Sequence, residues 1–147
     1  MPYKELNLDS QLCFRLYTVS RLVVQCYRPF LNRLHITYPQ YLVMMMLWEK
    51  DSVSVSDISK RLVLESNTVT PLLQRMEKDE LIRRTKGKKD TRQTIISLTK
   101  KGKDLEEQAK EVPQCVAKYL TDKDISSKDM LFLMPILDNM IGLLKNK

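Results

Sequence analysis

The chain is poor in the residues that build metal centres and disulfide frameworks: one histidine, His35, and three cysteines, Cys13, Cys26 and Cys115. An odd cysteine count without ligand spacing argues against a zinc site and against a small secreted fold held by disulfides, so no metal and no cofactor is expected. Long apolar runs are missing too. The densest patch, "YLVMMMLW", is too short to span a bilayer. The opening "MPYKELNLDS" lacks the basic-then-apolar layout of a secretory signal, so a cytoplasmic protein without a membrane partner is expected. There is no internal repeat and no low-complexity linker, and a length of 147 residues fits one domain with a real hydrophobic core.

What the chain has is positive charge, unevenly placed. The formal net charge is +7, and Arg75 to Lys103 holds eleven basic residues against four acidic ones, which accounts for all of it. A solvated face with no polyanionic partner would mix its signs more evenly, so nucleic acid becomes the leading partner.

Leu12, Leu16, Val19, Val23, Tyr27, Phe30 and Leu34 recur every three or four positions and predict an amphipathic helix over about 9–34. Asp9 and Ser10 are its expected N-caps, which puts Cys13 in the first turn, half buried by its neighbours. Leu22, Val24, Cys26 and Leu31 widen the stripe beyond one neighbour's reach, pointing to a second packing partner such as another subunit. "TYPQYLVMMMLWEK" reads as a second helix, with Thr37 as cap and Pro39 in its first turn. Met44, Met45 and Met46 are its core filler. "SVSVSDISKRLVL" predicts a short extended piece and then a short helix capped by Ser56.

The next helix, "SNTVTPLLQRMEKDEL", separates two faces. Val69, Leu72, Leu73 and Met76 fall on one side, and Asn67, Thr70, Gln74 and Lys78 on the other, flanked by Arg75. Pro71 is tolerable only if the helix starts near Ser66 or Asn67. Two strands, "LIRRT" and "TIISL", follow, joined by the basic loop "KGKKDTRQ" with Gly87 as turn residue. "TKKGKDLEEQAKEVPQCVAKYL" predicts one long helix opened by Thr99 and kinked near Pro113. "SSKDMLFLMPILDNMIGLLKNK" predicts a last helix with Leu133, Leu137, Met140 and Leu144 as its stripe.

Helix, short helix, helix and basic hairpin is the layout of a winged helix-turn-helix. The second helix of the pair enters the major groove and the wing follows the backbone or enters the minor groove. The expected DNA-facing residues are Ser66, Asn67, Thr68, Thr70, Gln74 and Arg75 on the helix, and Lys86, Lys88, Lys89, Asp90 and Arg92 on the wing. The fold class is mainly α with a small β-hairpin wing. For Cys13 the residues alone leave two readings open: a buried thiol packing as a small hydrophobe, or a reactive thiolate favoured by the positive end of a helix dipole.

The segments "LCFRLY", "YRPFL", "TYPQYLVMMMLWE", "TVTPLLQRMEKDELIRR" and "KDTRQTIISLTKKG", over about the first two thirds of the chain, resemble the MarR family of transcriptional regulators, within it the OhrR-like branch that senses organic hydroperoxides. The resemblance implies a single domain over 1–147, an intertwined homodimer through helices at about 9–34 and 99–147, and a DNA-binding part at about 53–98. It implies repression from a pseudo-palindromic operator, relieved by oxidants such as organic hydroperoxides, with Asp90 orienting the wing and Arg92 touching DNA. It also implies that Cys13 is the sensing thiol, held by the hydroxyls of Tyr27 and Tyr38, and that Cys115 is a resolving thiol from the other subunit. One departure is "ESNT", where many relatives carry Asp-Ser-Gly-Thr ahead of the DNA-reading helix. The C-terminal third matches only in pattern.

Tyr27 lies 14 residues after Cys13, about 21 Å along a straight helix, so one chain cannot bring them together and a crossing copy would have to. Cys26, about 20 Å from Cys13 and on the far side of the helix, reads as packing. His35 reads as a cap or surface residue. Two other functions fit parts of the pattern. One is a MarR-like regulator released by a small aromatic ligand. The other is a thiol peroxidase, which would bring the alternating strands and helices that are missing here. A non-specific architectural DNA binder fits poorly with the polar face of the 67–78 helix. The expectation is a regulator and not an enzyme.

Overall fold

The computed structural model describes residues 3–145. In chain order the elements are α1 (Leu12–Arg33), α2 (Tyr38–Glu49), β1 (Val53–Ser54), α3 (Val55–Leu62), α4 (Ser66–Lys78), β2 (Ile82–Lys86), β3 (Thr94–Leu98), α5 (Lys100–Ala109), α6 (Val112–Asp122) and α7 (Ser127–Lys145). The strands form one antiparallel sheet in the order β1-β3-β2, with Ile82 opposite Leu98, Lys86 opposite Thr94, and Val53 opposite Ile96. The expected two-stranded hairpin therefore has a third strand, because the short extended piece before α3 pairs along the free edge of β3.

Side-chain caps set where α2, α3 and α5 start. Thr37 and Gln40 form a reciprocal capping box at α2, with Pro39 in the first turn as expected. Thr99 caps α5 by accepting the Gly102 N–H at 3.0 Å. Three expectations need correction. Asp9 and Ser10 do not cap α1; they lie in a 3₁₀ turn, Leu8–Ser10, and the cap position is Gln11 without a side-chain cap bond. Gln11 is occupied elsewhere, its side-chain amide donating to the carbonyls of Glu5 (2.8 Å) and Asn7 (3.1 Å). Ser54, not Ser56, caps α3, accepting the Asp57 N–H at 3.0 Å. The predicted long helix is two, α5 and α6, broken at Lys110–Glu111, with Pro113 inside the first turn of α6 where its missing N–H costs nothing.

The core lies where α2 crosses the molecule. Tyr41, Val43, Met44, Met46 and Leu47 are buried there against Leu31 and Leu34 of α1, Ile58 of α3 and Leu72, Leu73 and Met76 of α4. Val112, Val116 and Leu120 carry α6 into the same cluster. Trp48 locks α2 to α5 through its Nε1–H, which donates to the Gly102 carbonyl at 3.0 Å. His35 follows α1 as an exposed left-handed residue (φ 57°) whose N–H donates to the Asn32 carbonyl at 3.1 Å.

Two apolar surfaces stay uncovered. Leu12, Leu16, Val19 and Leu22 of α1 are exposed, as are Leu131, Phe132, Met134 and Ile136 of α7. No described residue of α7 is buried, and of its expected stripe Leu137 and Met140 are half-buried while Leu133 and Leu144 are exposed. Exposed apolar faces of this length on two helices mark an interaction surface.

Candidate nucleic-acid interface and thiol site

Helix α4 buries Val69, Leu72, Leu73 and Met76 and exposes Ser66, Asn67, Thr68, Thr70, Gln74 and Arg75. The period of 3.6 residues sorts the two faces; the helix starts at Ser66 as expected, with Pro71 in its second turn, where the bond to the Asn67 carbonyl is given up. Glu65 stands at the cap position without making a side-chain cap bond.

The wing is built by close backbone approach. The Gly87 N–H donates to the Gln93 carbonyl at 2.9 Å, and the Gln93 N–H donates to the Asp90 carbonyl at 3.1 Å. A Cβ on Gly87 would come within 2.4 Å of the Asp90 carbonyl oxygen, so glycine is required by space. The Asp90 carboxylate accepts from Arg92 three times: the backbone N–H at 3.0 Å, Nε at 3.2 Å and Nη2 at 3.4 Å. The Arg92 guanidinium, and after it the Arg92 N–H, holds the Asp90 carboxyl below its ordinary range. Arg92 remains 90 % exposed, an outward-facing guanidinium with a fixed base. Lys86, Lys88 and Lys89 are exposed around it.

Between wing and helix runs a groove lined by Ser54, Ser56, Thr70, Arg84, Arg92 and Thr94, which brings predicted residues of both elements to one surface. Beside it lies a pair that the sequence did not disclose, joining α4 to β2. Glu77, in the last turn of α4, accepts from Arg84 of β2 through Nε (3.1 Å), Nη2 (3.1 Å) and the backbone N–H (3.2 Å). That fork-shaped contact lowers the Glu77 carboxyl, chiefly through the guanidinium. The two residues sit across a turn of irregular geometry, so no periodicity signals the pairing.

The three cysteines have different surroundings. Cys13 lies in the first turn of α1 as expected, yet it is exposed and not half-buried, because no element of its own chain covers that end of the helix. Cys26 is half-buried against the core and its thiol donates to the Leu22 carbonyl at 3.3 Å, in keeping with packing. Cys115 is half-buried on α6 and lines a small cavity with Phe30 and Arg33 of α1 and Leu34 just after it. Cys13 and Cys115 are not together in one chain: Phe30 is about 25 Å along α1 from Cys13.

Tyr27 and Tyr38 do come together, with ring centroids 4.9 Å apart. Tyr41, which the sequence reading passed over, joins them at 5.9 and 6.2 Å. Its signal was present, since Tyr41 follows Tyr38 by three residues and shares its helix face. Burial raises the pKa of all three phenols, and for Tyr27 the neighbouring Tyr38 and Cys26 add to the effect. At neutral pH they are hydrogen-bond donors, suited to a sulfur anion.

Comparison with known proteins points the same way. The family of SarA/Rot transcriptional regulators matches residues 25–109. The organic hydroperoxide resistance transcriptional regulator of Bacillus subtilis is 43% identical over 111 residues, 76% of each chain. Reduced AbfR bound to DNA superposes with a TM-score of 0.77 at 34% identity, over 98% of this chain and 99% of the other. Disulfide-formed AbfR superposes with a TM-score of 0.64 at 36% identity, over 95% of each. AbfR is a protein of Staphylococcus epidermidis.

Proposed function

The chain belongs to the SarA/Rot family of winged-helix transcriptional regulators, within the MarR group and its organic-hydroperoxide-sensing branch, and on that premise we propose that it is a homodimeric repressor released from DNA when Cys13 is oxidised. Helices α1, α5, α6 and α7 form the dimer, and residues at about 53–98 read the DNA. The exposed apolar faces of α1 and α7 support the dimer, since a second copy supplies what each chain lacks. Two copies of α4 then enter successive major grooves of a pseudo-palindromic operator, with Ser66, Asn67, Thr68, Thr70, Gln74 and Arg75 at the bases and phosphates and Arg92 reaching in from each wing.

The observation that carries the regulatory half is the split site. Tyr27 and Tyr38 form a phenol pair; the neighbouring Cys26 thiol donates to the Leu22 carbonyl, while the exposed Cys13 of the same chain lies about 21 Å away along α1. A crossing copy of α1 brings the two halves together. The Cys13 thiolate attacks one oxygen of a hydroperoxide; the O–O bond breaks, the alcohol leaves with a proton, and Cys13 becomes a sulfenic acid. The Cys115 thiol of the partner subunit then forms the S–S bond and water leaves. Tyr27 is one turn from Phe30, which lines a small cavity together with Cys115, so a thiol held at the phenol pair approaches Cys115 from the same stretch of α1. The TM-score is lower against disulfide-formed AbfR (0.64) than against reduced (0.77) or overoxidised (0.74) AbfR bound to DNA, which fits a rearrangement that accompanies the disulfide. Peroxide is consumed stoichiometrically, not by turnover, and the protein acts in the cytoplasm.

The test is a duplex selected from a random pool by the reduced protein. One equivalent of cumene hydroperoxide is expected to release the parent and to leave Cys13→Ser bound. Equal release of both proteins would refute the sensor.

A further inference from the structure

Three tyrosines, not two, meet where α1 passes the start of α2. Tyr38 and Tyr41 stand one turn apart on α2, in a first turn that the capping box fixes: the Thr37 N–H donates to the Gln40 side chain at 3.0 Å, and the Gln40 N–H donates to Thr37 Oγ1 at 3.3 Å. Tyr27 arrives from α1 and leans against both rings, tilted 59° to Tyr38 and 46° to Tyr41. The three differ in burial. Tyr27 and Tyr38 are half-buried, whereas Tyr41 is 3% exposed and belongs to the core. The ring of Tyr41 is therefore held by the packing of α2.

We propose that Tyr41 is a positioning residue for the thiol site: its buried ring fixes where the Tyr27 and Tyr38 hydroxyls stand, and so how well they hold the thiolate of a second copy of the chain. This rests on the sensor reading given above. A hydrogen-bonding pair must be held to within about 0.5 Å to act on a reacting atom, and a ring on an exposed helix face is not held so closely by itself. Tyr38 gains this support from below through its own helix, and Tyr27 gains it across the helix pair. Removing the Tyr41 ring opens a void into which both outer rings relax, while removing only its hydroxyl leaves the platform.

The experiment follows sulfenic acid formation on Cys13, trapped with dimedone after limiting cumene hydroperoxide, in the full-length reduced dimer. Tyr41→Leu is expected to slow the reaction about tenfold, the factor that loss of one hydrogen bond to a charged group carries. Its reduced-state DNA affinity is expected to stay within about twofold of the parent, and Tyr41→Phe to oxidise at the parent rate. If Tyr41→Leu does not fold by circular dichroism, Tyr41→Met is read in the same way, since its side chain also fills volume without a ring. Oxidation at the parent rate in the ring-less variant, or a loss of DNA affinity and melting temperature with the rate unchanged, would overturn the proposal. Tyr27→Phe separates the two claims. If it slows oxidation while the ring-less variant does not, only the role of Tyr41 falls; if neither slows it, the sensor reading falls as well.

Discussion

Arg92 gives the sharpest quantitative test of the DNA surface. Its guanidinium is 90% exposed and tethered on one side by Asp90, so truncation to alanine removes a charge without disturbing the core. Each phosphate neutralised by a basic side chain contributes about −0.9 to the slope of log K against log salt. A dimer presents Arg92 twice, so Arg92→Ala is expected to flatten the slope by about 1.8. Between 50 and 200 mM salt that amounts to about a twelvefold narrowing of the affinity gap between parent and variant. Fluorescence anisotropy on a labelled duplex, repeated across the salt series, measures it directly. Asp90→Asn provides the converse. Counting charge alone, losing a carboxylate beside DNA should tighten binding; if the carboxylate's job is to aim Arg92, binding weakens although the net charge rises. An unchanged slope for Arg92→Ala, or tighter binding by Asp90→Asn, would refute the wing assignment.

Other consequences concern the thiols and the backbone. After mild peroxide treatment the parent is expected to run as a covalent dimer on a non-reducing gel, and Cys13→Ser and Cys115→Ser each as monomers; a dimer band surviving Cys115→Ser rules out Cys115 as the resolving thiol. Gly102→Ala would put a Cβ within 2.3 Å of the Leu81 carbonyl oxygen, at the seam between α5 and the start of β2, and is expected to destabilise by about 1–3 kcal/mol in urea unfolding. Val63, in the turn between α3 and α4, is β-branched yet left-handed (φ 54°) and 53% exposed, a conformation costing about 1–2 kcal/mol that glycine avoids. After the entropy glycine loses on folding, Val63→Gly should still raise the melting temperature by about 2–4 °C, read by calorimetry.

The helix and hairpin of the proposed DNA-reading part were legible in the sequence because their signals are local. A helix of period 3.6 sorts Val69, Leu72, Leu73 and Met76 from Asn67, Thr70 and Gln74 whatever surrounds it, and Gly87 among lysines marks a turn without reference to distant residues. The start of α2 was equally local, since Thr37, Pro39 and Gln40 act within one turn. Errors arose where a local preference lost to a competing partner. Ser10 could have capped α1, but the preceding segment closes into its own 3₁₀ turn, and Gln11 spends its amide on Glu5 and Asn7. Ser54 displaced Ser56 as a cap because β1 pairs with β3 and delivers the chain to α3 already extended. The Glu77–Arg84 fork and the Tyr41 platform depend on how α4 meets β2 and how α1 meets α2, and those are decided by which buried faces fit one another. The sequence by itself determined the helix faces, the charge and the candidate thiol. Only the tertiary structure decided that Cys13 stands exposed at one end of α1 while Tyr27 packs against Tyr38 near the other, because burial is a property of what folds back onto a helix and not of the helix itself.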